Sequence, residues 1–110
     1  MRLRFVEQCV HEVPEAPGIF CLWDNAQLVY VGRTAPRSTL RTEVDHALTV
    51  AMAEDLCVTH FSYEVTNVPK TRAAEELREH FERWGALPRY NELPRTAPDE
   101  RAVLRLGRAP

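Results

Sequence analysis

The sequence predicts one domain of the α+β class, because strand-prone and helix-prone segments follow one another along a chain of 110 residues. Two apolar, β-prone strings at residues 18–24 and 28–32 are separated by a turn-forming segment, which predicts an antiparallel hairpin. A helical pattern, an alternating pattern and a second helical pattern come after this hairpin. The predicted order of elements is therefore hairpin, helix, strand, helix.

The first helix is expected at about residues 39–53. Residues 36–39 can end a loop and cap a helix, and the apolar residues after them recur at helical spacing. These apolar residues are Leu40, Val44, Ala47 and Ala51. We therefore expect one amphipathic helix directly after the hairpin.

The second half of the chain predicts a third strand and a second helix. Residues 58–66 alternate, with Phe61 on one face and Ser62 on the other, as in a half-exposed strand. A helix then begins at residues 70–71 and ends at Gly85. Its predicted core face consists of Ala74, Leu77, Phe81 and Trp84.

The domain is expected to cover residues 1–95. Residues 96–110 contain Pro98, Gly107 and Pro110, and few of their side chains could be buried. We therefore expect this segment to be a C-terminal tail or a short added element.

Charged residues are numerous, but they nearly balance. Thirteen arginines and one lysine face sixteen acidic residues, and the net charge is −2. Non-specific nucleic-acid binding depends on the neutralisation of phosphates, so this balance excludes a general cationic coat. Contact with DNA or RNA would have to come from a local patch.

Apolar runs and cysteines indicate the compartment. No apolar stretch approaches the ~20 residues that span a bilayer, and residues 1–6 lack the run of a signal peptide. Cys9, Cys21 and Cys57 are odd in number and widely spaced, which favours reduced thiols over a disulfide framework. These features predict a cytoplasmic protein with no membrane association.

Three short strings together resemble the GIY-YIG nuclease family. They read Gly-Ile-Phe at residues 18–20, Tyr-Val-Gly at residues 30–32 and Pro-Arg-Tyr-Asn at residues 88–91, and the resemblance extends over residues 17–91. It implies a GIY-YIG-like fold, in which a central three-stranded antiparallel sheet is flanked by helices. It also implies hydrolysis of phosphodiester bonds in DNA with a single Mg²⁺ or Mn²⁺ ion as cofactor.

The resemblance assigns roles to the hairpin residues. Tyr30 matches a family tyrosine, whose hydroxyl would position or deprotonate the attacking water. Gly32 matches the glycine that follows it, where a phosphate could approach the backbone, and Arg33 could contact that phosphate. Phe20 occupies the place of the family's other tyrosine and has the ring without the hydroxyl.

The resemblance also implies two catalytic residues on the first helix, an arginine and, four residues later, a histidine or tyrosine. His46 fits the second position, but Thr42 stands four residues before it. Arg41 is the expected arginine, which would meet the charge that builds on the phosphate. On an ideal helix Arg41 points about 140° away from His46, so either the helix start shifts, or Arg41 or Arg37 reaches the site from elsewhere.

Glu76 on the second helix is the expected metal ligand and catalytic carboxylate. It lies nearest to the boundary of the predicted core face, whereas the other three glutamates of this helix point well away from that face. It also precedes Asn91 by fifteen residues, a separation that the family tolerates. Asn91 matches a family asparagine whose amide can fix a loop near the active site.

The leading hypothesis is a metal-dependent endonuclease-like protein with weak activity on DNA. The alternative is a catalytically silent module of the same fold that binds nucleic acid or a protein partner, and Phe20, Thr42 and the net negative charge favour it. Site-specific cutting would need a protein partner or a homo-oligomer, because the chain has little room for a further domain. In a third interpretation the strings are ordinary strands of an unrelated α+β scaffold.

Overall fold

Four strands form one antiparallel sheet in residues 1–91, the part of the chain that the computed structural model describes. Their order in the sheet is β1-β4-β2-β3. They are β1 (Leu3–Arg4), β2 (Gly18–Asp24), β3 (Gln27–Arg33) and β4 (His60–Val65).

Helices separate and follow these strands. They are α1 (Glu7–Val10), α2 (Leu40–Ala53) and α3 (Pro69–Trp84), and a 3-10 turn (Arg89–Asn91) ends the described chain. Thr39 caps α2, where its side chain accepts a hydrogen bond from the backbone N of Thr42 at 3.2 Å. α3 ends at Gly85, whose φ of 75° is the left-handed conformation that glycine adopts without strain. The α+β class is therefore confirmed, and the order hairpin, helix, strand, helix holds over residues 18–84, whereas β1 and α1 before the hairpin were not predicted.

The prediction of a three-stranded sheet is wrong by one strand. β1 has two residues, of which Leu3 pairs with Phe61 and Arg4 pairs with His60. Two residues are too few for an alternating pattern, so only the pairing with β4 defines this strand.

The hairpin of β2 and β3 turns alternate residues to opposite faces of the sheet. Phe20 pairs with Gly32 and Leu22 pairs with Tyr30, and the register shifts between Leu22 and Trp23. Because side chains alternate along a strand, Phe20 and Tyr30 share one face, while Cys21 lies on the other.

Each face of the sheet has its own core. On the first face the hairpin packs against α1 and α2, and on the second face it packs against α3. The first core includes Val10, Phe20, Leu22, Tyr30, Leu40, Val44, Ala47 and Phe61. The second core consists of Ile19, Cys21, Val31 and Ala73, with Trp23, Leu28 and Leu77 packed against it.

The predicted core face of α3 is wrong except at Leu77. Ala73 is the buried residue of this helix, whereas Phe81 is 53 % exposed and Trp84 is 69 % exposed. The side that meets the sheet carries polar residues such as Glu76 between its apolar ones. Glu76 is bonded to Arg72 of the same helix, and hydrophobic periodicity does not reveal such a polar contact.

The remaining expectations concern the termini, the thiols and the membrane. The tail predicted for residues 96–110 lies outside the described residues. All three cysteines are free, as predicted. Among the helices of residues 1–91, none combines the length and the apolar character that crossing a membrane requires.

Candidate functional site

Tyr30 lies in β3 with its side chain between the sheet and α2. The residue is 1 % exposed, and its ring centroid lies 5.9 Å from that of Phe20. Leu40 and Val44 of α2 belong to the same cluster. The ring that the family resemblance assigns to catalysis is therefore enclosed by apolar side chains.

The rings of Phe20 and Tyr30 leave no room for a side chain at Gly32. A Cβ at this position would overlap the Phe20 ring and would lie 2.8 Å from Cε2 of Tyr30. Real Cβ atoms essentially never approach another heavy atom so closely. The space beside Gly32, which the resemblance reserves for a phosphate, is thus filled by Phe20 on this face of the sheet.

Asn91 ties the end of the described chain to the middle of the Tyr-Val-Gly string. Its Oδ1 accepts a hydrogen bond from the backbone N of Val31 at 2.8 Å, and its Nδ2 donates to the carbonyl O of Val31 at 3.1 Å. The residue is fully buried. Its amide therefore serves as a strand partner for Val31, and it lies close in space to Tyr30 and Gly32.

Arg41 and His46 occupy different positions on α2. The Nε of Arg41 donates to the carbonyl O of Val13 at 2.9 Å, and its Nη1 donates to Oε2 of Glu15 at 3.2 Å. This guanidinium is held against the segment that precedes β2. His46 is half-buried, five residues further along the helix. Their joint action on a phosphate stays a prediction.

Glu43 is a buried carboxyl group that the sequence analysis did not single out. Its residue is 6 % exposed, and Oε2 lies 3.5 Å from the backbone N of Ala35, at the upper limit for a hydrogen bond. An acidic residue near the start of a helix is common, because it complements the helix dipole. That position was the only signal in the sequence, and it does not predict burial.

Glu76 of α3 belongs to a cluster of three carboxylates around one guanidinium. Arg72 donates to Oε2 of Glu76 at 3.1 Å, to Oε1 of Glu75 at 2.7 Å and to both carboxylate oxygens of Glu64 at 2.8 and 2.9 Å. These hydrogen bonds are the main reason that the pKa of Glu64 lies below its ordinary value. The sequence analysis did not identify Arg72. Its two hydrogen bonds to Glu64 join α3 to β4, and no pattern within α3 indicates such a contact.

Glu76 faces the side of the sheet opposite to Tyr30. Arg72 joins Glu76 to Glu64, which pairs with Ile19 of the α3-side core. Burial first, and then the negative charge of Glu76, raise the pKa of Cys21 in this core to about 12. Tyr30 belongs to the α2-side core. Arg33 is the last residue of β3 and pairs with Ile19, so its side chain lies on the same face of the sheet as Cys21. The structure thus brings Tyr30, Gly32 and Asn91 together around Val31 and places Glu76 in the other layer.

The surroundings of Glu76 do not fit a divalent metal ion. Oε2 of Glu76 is already bound to the guanidinium of Arg72, which would repel a second cation at that position. In residues 1–91 no group of three His, Cys, Asp or Glu side chains is arranged to hold a metal ion. Glu76 would therefore have to be released from Arg72 before it could bind the Mg²⁺ or Mn²⁺ ion that the resemblance implies, and that ion stays a prediction.

An open groove of about 740 Å³ lies between the tip of the hairpin and the second half of α3. We call it the α3 groove. It is lined by Arg2, Trp23, Ala26, Gln27, Leu28, Glu76, Glu79, His80, Arg83, Trp84 and Ala86.

The two tryptophans of the α3 groove differ in their surroundings. The Nε1 of Trp23 donates to the hydroxyl of Ser62 at 3.0 Å, and the guanidinium carbon of Arg2 lies 3.7 Å from the centre of the Trp23 ring. Trp84, the last residue of α3, is largely exposed. The groove therefore offers one fixed aromatic surface and one that is open to solvent.

Comparisons with known proteins give no assignment: no family model, no curated protein and no solved structure matches the chain.

Proposed function

We propose that this chain is a binding module with a GIY-YIG-like fold, and that it binds a protein partner through the α3 groove instead of hydrolysing phosphodiester bonds. The observation that supports this proposal best is that Tyr30 packs against α2, whereas Glu76 of α3 shares Arg72 with Glu64 on the opposite face of the sheet. A metal ion bound by Glu76 and a water activated by Tyr30 must meet at one phosphate. Side chains in different layers are poorly arranged for that task.

The groups that the resemblance assigns to catalysis are also occupied in the folded chain. Phe20 has no hydroxyl, Arg41 is bonded to Val13 and Glu15, and Glu76 is bonded to Arg72. Each of these bonds would have to break before its group could act on a substrate. Binding through another surface requires no such rearrangement.

The charge of the α3 groove favours a protein over a nucleic acid. Two arginines and two glutamates line it, so the ionised side chains cancel. A phosphate backbone is bound by an excess of positive charge, which this groove lacks. An exposed tryptophan beside a mixed polar rim is typical of a protein-binding surface.

The endonuclease hypothesis retains one observation in its favour. Asn91 bonds to both backbone groups of Val31, in the middle of the string that resembles the family's second half-motif. This contact supports the architecture that the resemblance implies. A nicking assay decides between the two functions.

The assay uses single- and double-stranded DNA and RNA with Mg²⁺ or Mn²⁺. We expect no cleavage by the unmodified chain, and no difference between Glu76→Ala and Glu82→Ala, the control on the exposed side of α3. Metal-dependent cleavage that Glu76→Ala abolishes and Glu82→Ala retains would overturn the binding-module proposal. A gain of activity in Phe20→Tyr would overturn it as well, because it would reveal a site that lacks only the hydroxyl.

The binding role is tested by selection from a random peptide library on the immobilised chain, with counter-selection on Trp84→Ala. We expect peptides that bind the unmodified chain and Phe81→Ala equally well and Trp84→Ala more weakly. Phe81 is the matched control, because it is an exposed aromatic residue of α3 that does not line the groove. Recovery of no peptide that depends on Trp84 would contradict the proposal.

A further inference from the structure

We propose that the α3 groove recognises an arginine side chain of its partner, and that Arg2 of the chain itself occupies part of this site until the partner displaces it. The inference rests on the proposed function and adds the chemistry of the ligand. It starts from Trp23, whose ring already carries a guanidinium at 3.7 Å. This intramolecular contact shows which kind of group the ring accepts.

The Trp23 ring is prepared for such a contact. Its hydrogen bond to Ser62 fixes the indole, and Leu28, which pairs with it across the hairpin, lies in the same groove. A planar guanidinium stacks on an aromatic face and is more weakly hydrated than an ammonium group, so this surface favours arginine over lysine. Fixing the ring in advance lowers the entropy that binding has to overcome.

Arg2 is held weakly enough to be displaced. Besides the Trp23 ring it contacts only the carbonyl O of Asn25 among residues 1–91, through Nη1 at 3.3 Å, and that hydrogen bond is exposed to solvent. A cation–π contact at an exposed site is worth about 0.5–1 kcal/mol. An external arginine that makes further contacts can therefore compete with it.

Those further contacts are available on the opposite wall. Glu79 is exposed and makes no ion pair within the described part of the chain, and Trp84, five residues further along α3, lines the same groove. Carboxylates bind guanidinium groups through paired, charge-assisted hydrogen bonds. Glu79 and Trp84 thus supply the charge and the second aromatic surface that an arginine requires.

The charge balance of the groove supports the exchange. Arg2 and Arg83 balance Glu76 and Glu79 while Arg2 is in place. Removal of Arg2 takes one positive charge from the groove, and a single incoming arginine restores it. The exchange therefore leaves the net charge of the groove unchanged.

The experiment titrates short glycine–serine peptides that carry one central arginine, lysine, norleucine or glutamate, and it follows the indole N–H signals of Trp23 and Trp84 by NMR. We expect the arginine peptide to shift both signals in a saturable way and to bind more tightly than the other three. Equal or tighter binding of the norleucine or glutamate peptide would overturn the inference.

Variants supply the sharper part of the test. Arg2→Ala should bind the arginine peptide about two- to fivefold more tightly, because the competing cation–π contact is gone. Glu79→Gln and Trp84→Ala should each weaken binding about two- to fivefold, since each removes one exposed contact. An unchanged or lower affinity of Arg2→Ala would contradict the displacement by Arg2.

Each variant has a matched control outside the groove. Arg4→Ala removes the same charge two residues away, Glu82→Gln removes a carboxylate of the same helix, and Phe81→Ala removes an exposed aromatic residue. All three should bind the arginine peptide as the unmodified chain does. Library peptides that require Trp84 but contain no arginine would remove the inference and leave the proposed function intact.

Discussion

On the side of the sheet that α2 covers, Phe20 and Tyr30 pack their rings in a closed apolar core, whereas on the α3 side Arg72 joins three carboxylates and an open groove lies next to them. The residues that resemble a family motif most closely lie on the closed side. The cluster of Arg72 with its three carboxylates lies on the open side. Packing alone can therefore account for residues that resemble a motif, while the surface that can bind a ligand lies elsewhere.

The largest effect is expected on the closed side, from Gly32→Ala. The added Cβ would overlap the Phe20 ring, and both neighbouring rings are buried, so neither can move without disturbing the core. Overpacking of this kind costs about 1–3 kcal/mol of the free energy of unfolding, which urea denaturation measures. Phe20→Leu in the same chain should recover part of the loss, and a stability within about 0.5 kcal/mol of the unmodified chain would show that the core is not closed here.

A smaller effect is expected on the open side, from Arg72→Met. The substitution leaves Glu64, Glu75 and Glu76 without their shared cation, and it should cost about 1 kcal/mol at pH 7, because these side chains are partly exposed to solvent. Arg78→Met, an exposed residue of the same helix, is the control and should cost less.

Acid titration of the unmodified chain and of Arg72→Met tests whether the ion pairs of Arg72 cause this difference in stability. Arg72 holds the pKa of Glu64 below its ordinary value of 4.5, mainly through hydrogen bonds to the carboxylate. A carboxylate with a lowered pKa adds stability above its unfolded pKa, and this stability is lost as the pH falls through the folded pKa. The free energy of unfolding should therefore fall as the pH drops below about 4.5, and it should fall less steeply in Arg72→Met. If the free energy of unfolding fell equally steeply with pH in the unmodified chain and in Arg72→Met, the ion pairs would be excluded as the cause.

The same contrast explains which features the sequence could predict. The hairpin and α2 depend on local patterns, such as the spacing of Val44 and Ala47 and the cap at Thr39, and these patterns are visible within a few residues. β1 exists only through its pairing with β4. Such a pairing leaves no local pattern to detect.

On α3 the local pattern was misleading. Phe81 and Trp84 follow helical spacing but are exposed, while Glu76 and His80 take the side facing the hairpin. Those polar groups are tolerated there because Arg72 binds Glu76 and the carbonyl O of Ala86 meets Nδ1 of His80 at 2.7 Å. Hydrophobic periodicity assumes that polar residues avoid the interior, so it fails where neighbouring side chains and backbone groups satisfy their hydrogen bonds.

The smallest effect on the structure is expected from chemical modification of the cysteines. The rate at which Cys21 is modified measures how tightly α3 covers the sheet beside the groove. The pKa of Cys21 is raised from 9.0 to about 12, first by burial and then by the charge of Glu76. At pH 8 such a shift lowers the reactive thiolate fraction about a thousandfold. Iodoacetamide should therefore modify the exposed Cys57 long before Cys21, as mass spectrometry of the digested protein will reveal.

Glu76→Gln separates the two causes of this protection. The substitution removes the charge but keeps the size of the side chain, so Cys21 should become only slightly more reactive if burial dominates. Glu75→Gln, a neighbouring carboxylate that also binds Arg72, is the control. Rapid modification of Cys21 in the unmodified chain would mean that α3 opens from the sheet. In that case the α3 groove would be part of a moving surface, and the contrast between a closed and an open side would hold only for the resting state.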